Sequence, residues 1–570
     1  MTLPSSFRPT PQAPQSATAK PPPPPAAAKK RPQRESSVKE TIESILVAFI
    51  LAFIFRAFIV EAFVIPTGSM APTLLGAHMR FTCTDCGYRF DVNYSDQSGG
   101  DEIRIPPRAS ATYRVFCPNC GFRLPQKDLD DPENGTEKPQ VHYGDRILVL
   151  KYLYLLEDPQ RWDVVVFKSP YEPEKYQYQQ NYIKRLIGRP NESVLILDGD
   201  IYVGQSQQQP NEFKIQTKPR HVQEALWRVI YDNDYVPRKL WRDGAKWQQP
   251  WTVRGAGTGW KIGDTPTRDG RIFRFDNAAG ESTVFFDASV NPISVRGSLD
   301  SRPYAFTDWL AYDIEQPGEN NNVHDLKLSF EYDRTAGDGP LRAKLTRGGD
   351  GSDEFIAILT PTDASLVHRT KDGVERVIGK PYPLPNDKRP RRVELTNVDY
   401  QVTLRIDDVN VAQTTPQDYH PDIARLLSDF AQNIQQPLPT AEISAANQTA
   451  SLSHVGLWRD VYYINRPPPG TGSNNNLYWG TPVDMPGSIM RLGPDEFFVL
   501  GDNSLISGDA RYWHQPIELP ADGNLHVQAG RVPKRFMLGR AFFVYWPAGY
   551  RPAASLPGLA PNFGDMRYIR

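Results

Sequence analysis

Cysteine is scarce in this chain, with 4 residues in 570, far too few for disulfides to staple a body of that size. Neither sign of charge dominates. Lys and Arg number 65 against 66 Asp and Glu, so the formal net charge is −1 and the overall balance gives no reason to expect nucleic acid as a partner. Long apolar runs are nearly missing, and 39% hydrophobic with 23% charged residues excludes a polytopic membrane protein. Histidine numbers only 9, which limits the choice of catalytic bases. Proline is abundant, at 53, and unevenly spread. At ~150 residues per domain the length implies three or four folding units.

Residues 1–39 hold ten prolines, with seven basic residues against one glutamate. Such a segment cannot bury enough apolar surface to offset its ordering entropy, so a disordered basic tail is expected. The one long apolar stretch follows, Ile42 to Val60. At 1.5 Å per residue it would make about 28 Å of helix, close to the ~30 Å hydrocarbon thickness, so a transmembrane helix is expected over 40–62. Lys29, Lys30, Arg31, Arg34 and Lys39 crowd its N-terminal side. The positive-inside rule then puts the N-terminus in the cytoplasm and everything after about residue 62 outside, with one pass through a bacterial cytoplasmic membrane.

The body reads as mainly β. Phe63 to Leu75 and Val141 to Ile201 are rich in alternating β-branched residues, as in Arg146-Ile-Leu-Val-Leu and Asp163-Val-Val-Val-Phe. Residues 205–465 repeat the period-two rhythm in Leu326-Lys-Leu-Ser-Phe-Glu-Tyr, Phe355-Ile-Ala-Ile-Leu and Val402-Thr-Leu-Arg-Ile-Asp-Asp, between Gly, Asp and Pro clusters. Many short strands at such spacing suggest a β-sandwich.

Four separated segments carry the chemistry. They are Phe63-Val-Ile-Pro-Thr-Gly-Ser-Met-Ala-Pro-Thr-Leu; Gly144-Asp-Arg-Ile-Leu-Val with Arg161-Trp-Asp-Val-Val-Val-Phe; Tyr182-Ile-Lys-Arg-Leu-Ile-Gly-Arg-Pro-Asn-Glu; and Leu500-Gly-Asp-Asn-Ser-Leu-Ile-Ser-Gly-Asp-Ala-Arg-Tyr-Trp. In this order behind one apolar helix, they resemble the boxes of bacterial type I signal peptidases, membrane-anchored Ser-Lys proteases. The resemblance covers about residues 40–80, 141–204 and 490–549. Four positions depart from the family pattern: Trp162 where glycine is usual, Asn191-Glu192 where Gly-Asp often ends the lysine box, and Ala510 for a frequent serine.

A serine hydroxyl is a poor nucleophile at neutral pH and needs a base beside it. None of the histidines falls in these segments, so a Ser-His-Asp triad is not suggested. A lysine serves if desolvation keeps it neutral, and Tyr182, Ile183, Leu186 and Ile187 would wall in Lys184. The resemblance implies Ser69 as nucleophile, Lys184 as general base and Ser507 as the hydroxyl that orients the lysine. It further implies an oxyanion hole from the Ser69 N–H and the Thr67 hydroxyl, and support from Arg185, Asp502, Asp509 and Arg511. The implied substrates are signal-peptide-bearing pre-proteins with small-X-small cleavage sites. An extended peptide would pair with strand edges at Phe63–Pro66 and Asn181–Lys184, its small side chains meeting Met70, Tyr182 and Ile183. No catalytic cofactor is implied.

Cys83-Thr-Asp-Cys-Gly and Cys117-Pro-Asn-Cys-Gly are two knuckles with 30 residues between Cys86 and Cys117. Four thiolates at that spacing suit a structural Zn²⁺ in a zinc-ribbon-like insert, with disulfides as the alternative in an oxidising compartment. This insert is expected to stabilise the core or to overhang the substrate groove. The β insert resembles concanavalin/laminin-G sandwiches, a fold that would allow a carbohydrate or protein ligand. The domain reading is a tail (1–39), a transmembrane helix (40–62), three pieces of catalytic core (63–79, 126–204 and 466–570), a zinc-ribbon-like insert (80–125) and a β insert (205–465). Two alternatives remain: a silent membrane-anchored binding protein, and a Ser-Lys protease that cleaves itself.

Overall fold

The alternating β-branched runs do form strands, and the computed structural model is mainly β. It describes residues 37–94, 115–124, 139–170, 180–205, 208–238, 241–242, 245–254, 259–263, 268–291, 305–313, 321–348, 353–385, 387, 389–465, 478–481, 488–519, 525–548 and 562–570. The expected tail lies outside these residues as far as residue 36.

The apolar stretch is not the single helix expected over 40–62. Helix α1, Ser37–Ile54, is followed by five residues of π-helix, Phe55–Ile59, and Val60–Val64 is already strand β1. No helix among the described residues is long and apolar enough to cross a membrane. Both ends explain this. Lys39, Glu40 and Glu43 charge the first turns of α1, and at Val60 the backbone leaves the helix to pair with Arg146–Leu150. Ile42, Leu46, Phe49 and Phe53 nevertheless stand exposed along α1.

β1 is the edge of an eight-stranded sheet. Its further long strands are β2 (Arg146–Leu150), β3 (Val164–Lys168), β4 (Asn181–Gly188), β5 (Glu496–Leu500) and β6 (Met537–Trp546). Their order is β1-β2-β6-β3-β4-β5, all antiparallel, with Val532–Pro533 beyond β5 and Arg567–Tyr568 pairing with β6. Alternation sorts side chains to two cores. Val165, Phe167 and Leu186 pack with Trp513 on one face, and Val164, Val166 and Ile183 pack with Met70 on the other.

The strand expected across Phe63–Leu75 stops at Val64, and Gly68–Met70 is a 3₁₀ turn. Pro66 and Pro72 lack the N–H that a ladder needs. Asp145 holds the segment instead: its N–H donates to the Leu75 carbonyl (2.8 Å), and its carboxylate accepts from the Leu75 N–H (3.1 Å) and from Arg567 (2.8 Å).

The large insert, expected as a sandwich, is one thirteen-stranded hydrogen-bonded sheet whose strands surround a shared core that includes Leu328, Phe330, Leu345, Ile443 and Leu457. Strand Ala441–Arg459 joins it together, pairing along its length with Arg228–Asp232, Phe273–Phe286, Leu326–Gly337 and Leu341–Thr346. The strand expected at 402–408 ends at Ile406, because Asp407 and Asp408, both at positive φ, turn the chain into Val409–Gln413.

Buried charges tie the insert to the neighbouring strand Asp200–Gln205. Lys218 pairs with Asp399 and, at 2.9 Å, with Asp460, while Arg347 bonds Asp325 (2.8 Å) and Asp200 (2.9 Å). The cysteine module also rests on the insert. The Asn119 amide bonds the carbonyls of Asp232 and Tyr235 at 3.3 and 3.1 Å, the Asp85 carboxylate accepts from the Arg238 N–H (2.7 Å), and Tyr88 meets Tyr235 edge-on.

Candidate active site

The turn Gly68–Met70 buries Ser69 beside β4, whose sequence alternates so that Lys184 shares a face with Tyr182 and Leu186. The Lys184 Nζ donates to Ser69 Oγ at 2.8 Å and to the Ile183 carbonyl at 3.1 Å. Only 5% of Lys184 and 8% of Ser69 is exposed. Burial lowers the amine to about 8; Asp509 and Asp502 oppose the shift from a distance and Arg511 adds to it. A fair fraction of the amine is therefore neutral near pH 8, with a lone pair to accept a proton.

Neither aspartate reaches the amine, because each is engaged elsewhere. Arg185 takes Asp502 through two parallel bonds of 2.7 Å and also donates to the Trp162 carbonyl (2.8 Å). Arg511 takes Asp509 through two bonds of 2.8 Å and donates to the Ile464 carbonyl and the Ser504 hydroxyl. Asp509 also accepts from the Gly501 N–H at 2.9 Å. All four of these side chains are fully buried. Two bidentate pairs thus brace the loop after β5, and among the described residues no carboxylate pairs with Lys184.

Thr67 caps the serine turn with extended backbone and is exposed, its side chain making no capping bond. Met70 and Ile183 pack in one buried cluster, and Tyr182 is half-buried, with its ring 5.4 Å from the Lys184 Nζ. Ser507 lies buried in the loop, but its hydroxyl oxygen has no hydrogen-bond partner among the described residues, the lysine included. Among the described residues two strand edges lie open near the site: β1 has one neighbour, β2, and β5 pairs with β4 only from Arg185 onward.

The family model "Signal peptidase, peptidase S26" matches residues 38–95 and 133–253, which include the serine turn and the lysine strand. On these segments the chain is similar to the signal peptidase family. "Signal peptidase I" of Rickettsia bellii (strain OSU 85-389) is 25% identical over 161 residues, 28% of this chain and 38% of that protein. "Signal peptidase I" of Pseudomonas aeruginosa is 40% identical over 73 residues, 11% of this chain and 24% of that protein. The matches thus span well under half the length of these curated relatives. Among solved structures, a carbohydrate-binding module CBM66 from Bacillus subtilis aligns with 36% of this chain and 94% of its own, at 14% identity and a TM-score of 0.22.

The departures from the signal peptidase pattern now have physical readings. Trp162 stands at φ 75, a conformation that favours glycine, and its indole is buried in the core. Asn191 is at φ 65, which asparagine tolerates, and Glu192 accepts from Arg161 (2.7 Å) and Arg189 (3.1 Å) as an aspartate could. Ala510 is buried in the same core as Trp162. Sequence reasoning missed Asn503, whose N–H donates to the Ser69 carbonyl at 3.1 Å, and Arg228 of the insert, which donates to the Ala71 and Asp502 carbonyls at 3.4 Å. Asn503 was within a motif already noted; Arg228 carried no local signal.

The four cysteines come together and are buried, with all sulfurs within 4.8 Å of one another. Cys83 and Cys120 are 3.8 Å apart, and Cys86 and Cys117 are 3.6 Å apart. The knuckles match turn for turn, each closed by a glycine N–H to the first cysteine carbonyl at 2.9 Å, with Gly87 at φ 84 and Gly121 at φ 69. This cluster is close enough to hold a metal ion.

Proposed function

We propose that this protein is a membrane-bound serine endopeptidase that removes signal peptides from exported pre-proteins after small-X-small sites. The observation that carries the reading is the 2.8 Å hydrogen bond between a buried serine hydroxyl and a buried lysine whose amine is lowered to about 8. In the proposed reaction neutral Lys184 takes the Ser69 proton as Oγ attacks the scissile carbonyl. The oxyanion is held by the Ser69 N–H and the Thr67 hydroxyl. The lysine ammonium then protonates the leaving amine, and a water, deprotonated by the same amine, hydrolyses the acyl-enzyme. Arg185, Asp502, Asp509 and Arg511 keep the surrounding charge paired, and Ser507 orients the lysine when substrate enters. Substrate adds as a strand at the open edges, with its small side chains against Met70, Tyr182 and Ile183.

The exposed apolar residues of α1 and the basic residues before it support anchoring to the bacterial cytoplasmic membrane, N-terminus inside and catalytic body outside. The anchor is read as α1 together with the turn that follows it. The domain reading has the same basis: a peptidase core in three pieces, interrupted by a cysteine module and a β insert.

The cysteine module is assigned a structural Zn²⁺. At ~2.3 Å per Zn–S bond a tetrahedral site has sulfurs about 3.8 Å apart, close to the 3.6 and 3.8 Å separations present. A disulfide needs ~2.05 Å and would draw the sulfurs into two pairs. Cys83, Cys86, Cys117 and Cys120 would fill the ion's coordination, leaving it no part in peptide cleavage.

Cleavage of a membrane-inserted precursor with an Ala-X-Ala site tests the enzyme reading. Ser69→Ala and Lys184→Ala are expected to abolish processing, and retention of activity by either would refute the pair. Metal analysis tests the module: one zinc per chain, lost in Cys117→Ser, is expected, whereas disulfides found by mass spectrometry would contradict it.

A further inference from the structure

The insert reaches the nucleophile. Its segment 305–313 is rooted in the insert core by Ala305 and Phe306, and fastened by the Val323 N–H to the Phe306 carbonyl (2.7 Å) and by Arg459 to the Trp309 carbonyl (2.6 Å). Its other end lies on the serine turn. Tyr312 packs with Ala71 and Leu75, and its carbonyl accepts from the Asn93 N–H at 2.9 Å. A Cβ on Gly68 would come within 2.6 Å of the Tyr312 ring, so the residue before the nucleophile must be glycine for the ring to sit there. The next residue, Asp313, accepts from the Asn503 side-chain amide at 2.9 Å, and the Asn503 N–H in turn donates to the Ser69 carbonyl at 3.1 Å. Asp313 is 4% exposed and Asn503 fully buried.

We infer that Asp313 is a positioning residue of the peptidase site, acting through Asn503 to fix the Ser69 carbonyl and with it the direction of the nucleophilic oxygen. The inference rests on the Ser69–Lys184 reading and deepens it. A buried amide has four hydrogen-bonding sites to satisfy and turns freely unless one is held. Without Asp313 the Asn503 amide would be unpartnered, because its Oδ1 already has no partner among the described residues. The loop would then relax, and a serine oxygen misplaced by a fraction of an ångström loses rate without losing substrate affinity. Burial raises the Asp313 carboxyl to about 7, against the Asn503 bond and Arg228, so near neutrality it is in part an uncharged acceptor. Asparagine can reproduce that. Asp313 lies in the insert, outside the segments that match the family model, whereas Asn503 lies in the Gly-Asp-Asn box, so the insert supplies the Asp313 end of the brace.

The test uses the full-length chain and a soluble peptide with an Ala-X-Ala site, with kcat and KM measured separately. Asp313→Ala is expected to lower kcat about tenfold, the scale of one lost buried hydrogen bond, with KM unchanged. Asp313→Asn should restore kcat, which no loss of mere bulk would allow. Asn503→Ala should match Asp313→Ala, and the double variant should cost no more than either alone, since both break one chain of bonds. An unchanged kcat in Asp313→Ala, additive losses in the double variant, or Asp313→Asn as slow as Asp313→Ala would overturn the inference. If alanine at 313 prevents folding, Asn503→Ala alone decides, an unchanged kcat again being the contrary result. Ser69→Ala in the same assay separates the two claims. Its silence with Asp313→Ala fully active removes only the brace, whereas activity in Ser69→Ala removes the peptidase reading and the brace with it.

Discussion

Two of the buried lysines, Lys184 and Lys218, have surroundings that push them in opposite directions. Lys184 is 5% exposed and Lys218 is 1% exposed. Burial lowers Lys184 to about 8, because the nearby Asp502 and Asp509 are held by arginines. Burial lowers Lys218 as well, but Asp399, Asp460, Asp200 and Asp325 outweigh it and raise the amine well above its ordinary value. Burial alone therefore does not make a lysine a base. What matters is whether carboxylates within reach are already occupied. The core spends its arginines on that task; at the insert junction Arg347 holds Asp325 and Asp200, but Asp399 and Asp460 pair with Lys218 directly.

The largest expected effect that sharpens this contrast comes from exchanging each amine for an apolar chain of similar length. Lys184→Met should reduce precursor cleavage at least ~1,000-fold, as loss of a base that activates the nucleophile does. It should also stabilise the fold by a few kcal/mol at neutral pH. The sign follows from linkage: a lysine lowered to about 8 costs stability below that pH, and the cost disappears as pH rises toward the unfolded value. Chemical denaturation at pH 7 and pH 10 measures it, and a destabilised variant would break the contrast. Lys218→Met should do the reverse and destabilise by about 3–5 kcal/mol, since it strands buried carboxylates. Because Asp399 is raised to about 7 by burial and by Asp325 and Asp460, that loss should shrink as pH falls below 7 and the carboxyl takes up a proton. The smallest effect concerns Trp162, which connects the two environments: Lys218 lies 5.5 Å from its ring and its carbonyl accepts from Arg185. Trp162→Phe keeps a ring and the carbonyl, so a change of about 1 kcal/mol in the unfolding free energy from chemical denaturation is expected. A larger change would mean the two sites are coupled through the indole.

Much of the candidate site's geometry was legible because its boxes are local. Tyr182 to Glu192 codes a strand that buries Lys184 beside apolar residues, and the Gly-Asp-Asn box brings Asp502 next to Arg185. The four cysteines were legible for the same reason, since each knuckle closes within five residues. What depends on distant partners was not. Nothing near Asp313 reveals that it meets Asn503 across 190 positions, and nothing in the cysteine spacing reveals that the module seats on residues 232–238. The helix end was misplaced for a different reason. Apolar β-branched residues such as Ile59 and Val60 suit a helix in lipid and a strand alike, and pairing with β2 decided for the strand from Val60. The strand drawn through Phe63–Leu75 overlooked two prolines that cannot pair.

The claim on which the rest depends is that Lys184 acts as a neutral base. The pH dependence of kcat/KM for a soluble Ala-X-Ala peptide tests it most directly. A single ascending limb with a midpoint near pH 8 is expected, with activity at pH 7 about a tenth of the plateau. A limb near 10.4, where an unperturbed lysine titrates, or near 6.5, where a histidine does, would contradict the account.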